Sequence, residues 1–177
     1  MSTTTTLQEN RELIHKTRWS LLLGALCTSA ALAQSPDVKI HSDVSLALAN
    51  QVLDATLQAC HADQHTAVAA VVDRGGNLVA LQRDDNIGPH NTQAAQRKAF
   101  TALSTKTPTR QLAESARNNP ESQNLATVSD LLLLGGGVPL RSNGEVIGAV
   151  GVAGAGGSAT DEGCALKGIH KVLPQDQ

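Results

Sequence analysis

LLLLGGGVPLRSNGEVIGAVGVAGAGGSATDEGCALKG, residues 131–168, is the stretch on which the fold turns. An apolar run meets three glycines, Gly135, Gly136 and Gly137, and a short strand-like piece, residues 138–141, follows. Asn143-Gly144 is a strong hairpin signal, because a type I′ turn needs φ > 0 at both central residues. Residues 145–152 are apolar and rich in β-branched side chains, with Gly148 and Gly151 among them, so they read as the returning strand. Glycines this dense in a buried strand let something, backbone or ligand, come unusually close. A Gly/Ala/Ser loop then leads to a last helix opened by Thr160, Asp161 and Glu162. Acids there suit the positive end of a helix dipole.

Working outward, Ser42 or Asp43 can cap a first helix running to residue 61. Ala49, Val52, Leu53, Thr56, Leu57 and Cys60 recur at helical spacing and mark its buried face. Residues 66–72 form a continuous small-apolar strand, 73–77 a turn, and 78–82 the return. A polar loop, 83–89, precedes a second helix over 91–104. A short third helix covers 109–117 after Pro108. A further apolar strand leads into the glycine triplet. Strand hairpins separated by helices predict an α/β fold, a single antiparallel sheet flanked by helices.

The chain has 177 residues, a one-domain length. Residues 1–33 read as a signal peptide. Arg11, Lys16 and Arg18 form a basic region, residues 19–31 an apolar run shorter than a spanning helix, and Ala31-Leu32-Ala33 an A-x-A cleavage site. The mature protein is expected to begin at Gln34, with a short tail over 34–43 and one domain over 44–173, in the periplasm or secreted. Cleavage moves the formal net charge from −2 to −3. With no basic run left, nucleic acid and membrane surfaces are poor partners, and no membrane insertion is expected after cleavage. Cys27 leaves with the leader. Cys60 and Cys164 remain and read as two buried thiols, a disulfide being the alternative open to an exported chain. The chain has no Tyr and one Trp, Trp19, so Phe100 is the only aromatic of the mature sequence.

The segment 131–168 resembles the GlcG/HbpS family of haem-binding or haem-degrading domains, found also at the C-terminus of PduO-type corrinoid proteins. The resemblance rests on Gly136-Gly137-Val138-Pro139-Leu140, on Asn143-Gly144-Glu145-Val146-Ile147-Gly148, on Gly151-Val152-Ala153-Gly154, and on Asp161-Glu162. Upstream, residues 70–78 (AVVDRGGNL) are similar to the family's first hairpin and 97–102 (RKAFTA) to its middle helix. The family usually has Ser where this chain has Ala153. The resemblance implies a sheet of about five strands, assembly into dimers or larger rings, and haem as cofactor. The function it implies is that of an exported haem carrier, scavenger or sensor accessory. Two alternatives come with it: an accessory protein or enzyme of small hydroxy-acid (glycolate) metabolism, and a corrinoid-binding module.

Candidate ligand residues follow. His90, after Gly88-Pro89 and just before the second helix, is the candidate haem-iron ligand, since imidazole is the usual one; its plain alternative is an exposed cap residue. Lys98 and Thr101 match the family's K-A-x-T-A motif, and by resemblance this helix borders the ligand pocket. The plain reading of Thr101 is a hydroxyl bonded back to a helix carbonyl. Arg83 or Arg97 can pair with a haem propionate. Scarce aromatics predict a weak, exchangeable site.

Other patterns carry less. His61, Asp63 and His65 read as a solvated helix end rather than a metal site, for want of a third spaced ligand. His41 falls in the tail and His170 on the last helix's surface. Residues 154–159 satisfy G-x-G-x-x-A, but no further strand follows to carry the ribose-binding acid. The loop can still hold a carboxylate at a helix N-terminus. No Ser/His/Asp or Cys/His pairing is signalled, so enzyme chemistry is not indicated by the residues themselves.

Overall fold

The computed structural model describes residues 37–173. The expected leader, its cleavage site, Trp19 and Cys27 lie outside them. The chain divides into Met1–Lys39 and Ile40–Gln177. Of the first part only residues 37–39 are described, and they carry no helix or strand.

In the second part, helix α1 (Leu46–Ala62) is followed by strands β1 (Val68–Asp73) and β2 (Leu78–Arg83). Helices α2 (His90–Thr105) and α3 (Thr109–Asn118) come next, with a 3₁₀ turn, Gln123–Thr127, behind them. Strands β3 (Gly137–Ser142) and β4 (Glu145–Ala153) and helix α4 (Ser158–Val172) complete it. All pairings are antiparallel, in the order β2-β1-β4-β3. The hairpin formed on Asn143-Gly144 is as predicted: φ is 49° and 75° at the two central residues, and Ser142 pairs with Glu145.

Among the described residues the sheet has four strands rather than about five. The expected strand before the glycine triplet is absent, because side chains take its backbone groups before a ladder can. The Leu132 amide donates to Thr101 Oγ1 at 2.8 Å, and the Leu134 carbonyl accepts from Thr109 Oγ1 at 2.8 Å. Arg97 donates to the Ser129 and Leu131 carbonyls at 2.7 and 2.9 Å. With its polar groups satisfied this way, residues 129–134 need no neighbouring strand.

Two layers of helix cover the sheet. Helix α2 lies on one face over β1, β4 and β3, while α1 and α4 pack together on the other. The α1/α4 side holds most of the core, including Leu53, Leu140, Val150, Val152 and Ile169. The α2 side is built of small residues: Ala70 and Ala95, and further along Ala99, Ala102 and Ala149. This is what the glycines are for. A Cβ on Gly151 would collide with the Ala95 carbonyl oxygen and the Ala99 amide, and one on Gly137 with the Lys98 carbonyl. What packs close to the glycine-rich strands is the α2 backbone.

Two helix starts differ from expectation. Ser45, not Ser42 or Asp43, caps α1, its hydroxyl accepting from the Leu48 amide. Asp43 instead accepts from the Val44 and Arg74 amides at 2.8 and 2.9 Å, fastening the chain's entry to the β1–β2 turn. Helix α4 opens at Ser158, so Thr160 lies within it.

Cys60 and Cys164 are bonded to each other, with Cα atoms 5.2 Å apart. The expected pair of free thiols is thereby corrected. The approach depends on α1–α4 packing, where a Cβ on Gly168 would strike Thr56. The bond closes a loop of sequence separation 104. Replacing both cysteines by Ala is expected to cost about 2–5 kcal/mol. Denaturant unfolding of the double variant beside the reduced wild type checks this; reduction that leaves the midpoint unchanged would contradict it.

Candidate functional site

Four α2 residues singled out in the sequence, His90, Arg97, Lys98 and Thr101, end up in different surroundings. Lys98 is buried, only 1% exposed. Its Nζ donates to the Val152 carbonyl at 2.9 Å and to Asp161 Oδ2 at 2.7 Å. Asp161, 3% exposed, uses its other oxygen to accept from the Ala155 amide at 2.8 Å. One buried ion pair thus ties α2 to the end of β4, to the glycine loop and to α4. The loop that satisfies G-x-G-x-x-A is occupied by the chain's own carboxylate. Next to it Glu162, also buried, accepts from Arg110 Nε at 2.7 Å, which raises the Arg110 pKa.

Thr101 is fully buried. Its hydroxyl donates back to the Arg97 carbonyl at 2.8 Å and accepts from the Leu132 amide. The polar atoms of Lys98 and Thr101 are therefore engaged by protein, and neither residue lines a described cleft. Arg83 donates to the Ile87 carbonyl at 2.6 Å, closing the β2–α2 loop. His90 is exposed at the first residue of α2, and its ring lies over Gly88.

Arg97 does border a cleft. A volume of about 560 Å³ is lined by Gln93, Gln96, Arg97, Phe100, Ser129 and Asp130, with Gly76 across from them. His90, Gln93, Arg97 and Phe100 follow one another at i, i+3, i+7 and i+10. That spacing sets them on one stripe of α2. The stripe carries one imidazole, one guanidinium and the only aromatic among the described residues.

A second cleft, also about 560 Å³, lies beyond Phe100. Arg74, Lys106 and Arg141 supply its cations, Glu145 its carboxylate, and Phe100 is shared with the first. Neither Lys106 nor Arg141 is conspicuous in the sequence. Only the fold brings the α2 C-terminus, the β1–β2 turn and the β3–β4 hairpin to one end. Asp73 anchors that turn. Partial burial opposes its charge, but bonds from Asn77, Gly75 and Gly76 outweigh it and hold the carboxyl below its ordinary 3.8.

The His61/Asp63/His65 set does not converge. His61 Nε2 pairs with Asp84 at 2.9 Å, and Asp63 pairs with Lys167 at 2.6 Å, which lowers the Asp63 pKa. No cluster of three metal-binding side chains occurs among the described residues. His41 and His170 are exposed. No described helix is long and apolar enough to cross a membrane.

Comparison with known proteins agrees with this architecture. The family model "Haem degrading protein HbpS-like" matches residues 44–170. The protein GlcG of Escherichia coli K12 is 33% identical over 110 residues, which is 62% of this chain and 81% of GlcG. Against a further curated relative the chain spans 63% of that protein's length. A Streptomyces reticuli HbpS carrying two Glu-to-Asp substitutions superposes with a TM-score of 0.74 at 33% identity, covering 81% of this chain and 95% of that one. A PduOC:heme complex shares the fold, with a TM-score of 0.67 at 23% identity over 74% of this chain and 96% of that one.

Breaking the buried pair on one side is expected to be severe. Lys98→Met leaves Asp161 charged and partly unpaired, and Asp161→Leu strands the ammonium and the Ala155 amide. Each single change should cost about 3–5 kcal/mol, and the double change less than their sum. A double-mutant cycle in denaturant tests this; additive losses would argue against the coupling. Asp73 gives a pH signature. Its folded pKa is depressed, so its contribution is present above about 3.8 and lost as pH falls through the lower folded value. Asp73→Ala should lower the melting point at pH 7, and the gap from wild type should narrow below pH 3.8. A gap independent of pH would remove the carboxylate as its cause.

Proposed function

The chain belongs to the HbpS-like haem-degrading protein family, and on that premise we propose that it binds haem along the outer stripe of α2. The supporting observation is the cleft bordered by Arg97 and Phe100, which continues the stripe that begins at His90. The residues fit the group. His90 is exposed and offers an imidazole to iron. Phe100 gives an apolar surface for the macrocycle. Arg97, two of whose hydrogen bonds go to the Ser129 and Leu131 carbonyls, sits where a propionate can join the same guanidinium. Lys98 and Thr101 serve this site from behind, Thr101 by fixing the Leu132 amide beside the cleft and Lys98 by fixing α2 to α4.

The proposed role is that of an exported carrier or scavenger. An open cleft with a single aromatic ring favours exchange over permanent retention. The Cys60–Cys164 bond supports export, since such bonds persist in oxidising compartments. A homo-oligomer is part of the proposal. Strands β2 and β3 are both sheet edges, and Leu78 on β2 is 44% exposed.

Titration with hemin is expected to give a saturable Soret change, with a shifted maximum in His90→Ala and weaker binding in Phe100→Ala. Absence of any Soret change in the wild type would refute haem binding. An unchanged spectrum and affinity in His90→Ala would remove His90 as the iron ligand.

A further inference from the structure

We propose that the cleft between the α2 C-terminus and the two hairpins is a binding site for carboxylate carried on an apolar body. Arg74, Lys106 and Arg141 line it against a single acid, Glu145. That acid is already committed, with Arg74 Nη1 at 3.3 Å from Glu145 Oε2. Arg141 donates one bond to the Lys106 carbonyl at 3.1 Å. No described residue pairs with the Lys106 ammonium or with the rest of the Arg141 guanidinium. The negative end of the α2 dipole favours a cation at its C-terminus and accounts for one of them. The other is in excess, and two like charges held on one cleft are stabilised by an anion between them.

The way Lys106 is held points in the same direction. It caps α2 in a left-handed conformation, φ 54° and ψ 25°, where a residue other than Gly or Asn is uncommon. Glycine would relieve the backbone but would remove the charge, and Arg141 fastens the carbonyl of this same residue. The rest of the lining sets the ligand class. Phe100, Leu103 and Val146 provide an apolar wall. Planar guanidinium suits planar carboxylate, and the volume of about 560 Å³ falls in the range of small-molecule sites.

Two sources supply this chemistry. One is a free small dicarboxylate. The other is the second propionate of a haem whose first lies at Arg97, reaching past Phe100 from the neighbouring cleft, and this second source alone rests on the haem reading. The double variant Lys106→Gly/Arg141→Gln removes both free cations. Gly suits the left-handed backbone, and both side chains are exposed, so the variant should fold, which its melting curve checks.

The experiment follows the amide resonances of Gly76 and Gly144 in the full-length protein with isophthalate, and with neutral isophthalamide as control. In parallel it measures hemin and hemin dimethyl ester affinities. A free dicarboxylate ligand predicts saturable shifts with isophthalate only, weakened about tenfold or more in the double variant. A propionate source predicts that the variant weakens hemin about tenfold and leaves the ester unaffected. If isophthalate moves neither amide and the variant treats hemin and ester alike, the cleft is not a carboxylate site. A protein that binds isophthalate here but ignores hemin overturns the haem reading and leaves this one standing.

Discussion

The ion pair between Lys98 and Asp161 is the constraint around which the described residues are arranged. Two full charges are taken out of water, a cost of several kcal/mol per ion that is recovered only if the remaining donors and acceptors are also satisfied. Here they are shared out. Lys98 also bonds the Val152 carbonyl, and Asp161 the Ala155 amide. The four groups belong to α2, the end of β4, the glycine loop and α4. No one of these elements can shift without stranding a buried charge, so the pair sets the height of α2 above the sheet. That height is low, and it requires Gly137 and Gly151 beneath the helix and alanines along its inner face.

From this follows the placement of both clefts. A helix pressed so closely onto β4 and β3 presents its opposite stripe, from His90 to Phe100, outward and at fixed register. The loop from Ser129 to Leu134 is tied to the same helix through Arg97, Thr101 and, by way of α3, Thr109. The wall of the first cleft is thus made of loop backbone clamped by helix side chains. The second cleft opens where α2 runs out and the two hairpins turn back. Phe100 stands between them, with a Cβ on Gly76 unable to fit beside its ring.

What the sequence makes legible is what is local. Asn143-Gly144 fixes the hairpin, and the spacing of Val52, Leu53, Leu57 and Cys60 fixes the buried face of α1, because each depends on neighbours a few positions away. The glycines announce a close approach but not its partner, which is a helix more than 30 residues upstream. Residues 131–134 look like a strand because they are apolar. Their hydrogen bonds are claimed by Thr101 and Thr109, threonines that local pattern reads only as helix residues. Lys98 is recognisable through its motif as a residue that matters, but its partner lies 63 positions on, so its burial is invisible from composition. The cysteine bond depends on how tightly α4 sits on α1 at Gly168 and Thr56, and spacing along the chain carries no record of it.

The same bond gives the molecule a property that its fold alone would not. Cys60 lies near the end of the first helix and Cys164 within the last, so the four strands, α2, α3 and the exposed stretch around residues 119–130 all fall inside one covalent ring. A single proteolytic cut in that stretch opens the ring without dividing the molecule. Both pieces stay joined through α1 and α4, with the sheet's central pairing of β1 and β4 spanning the break. Survival of the clefts after nicking then depends on packing and on one sulfur–sulfur bond, and no longer on an unbroken chain.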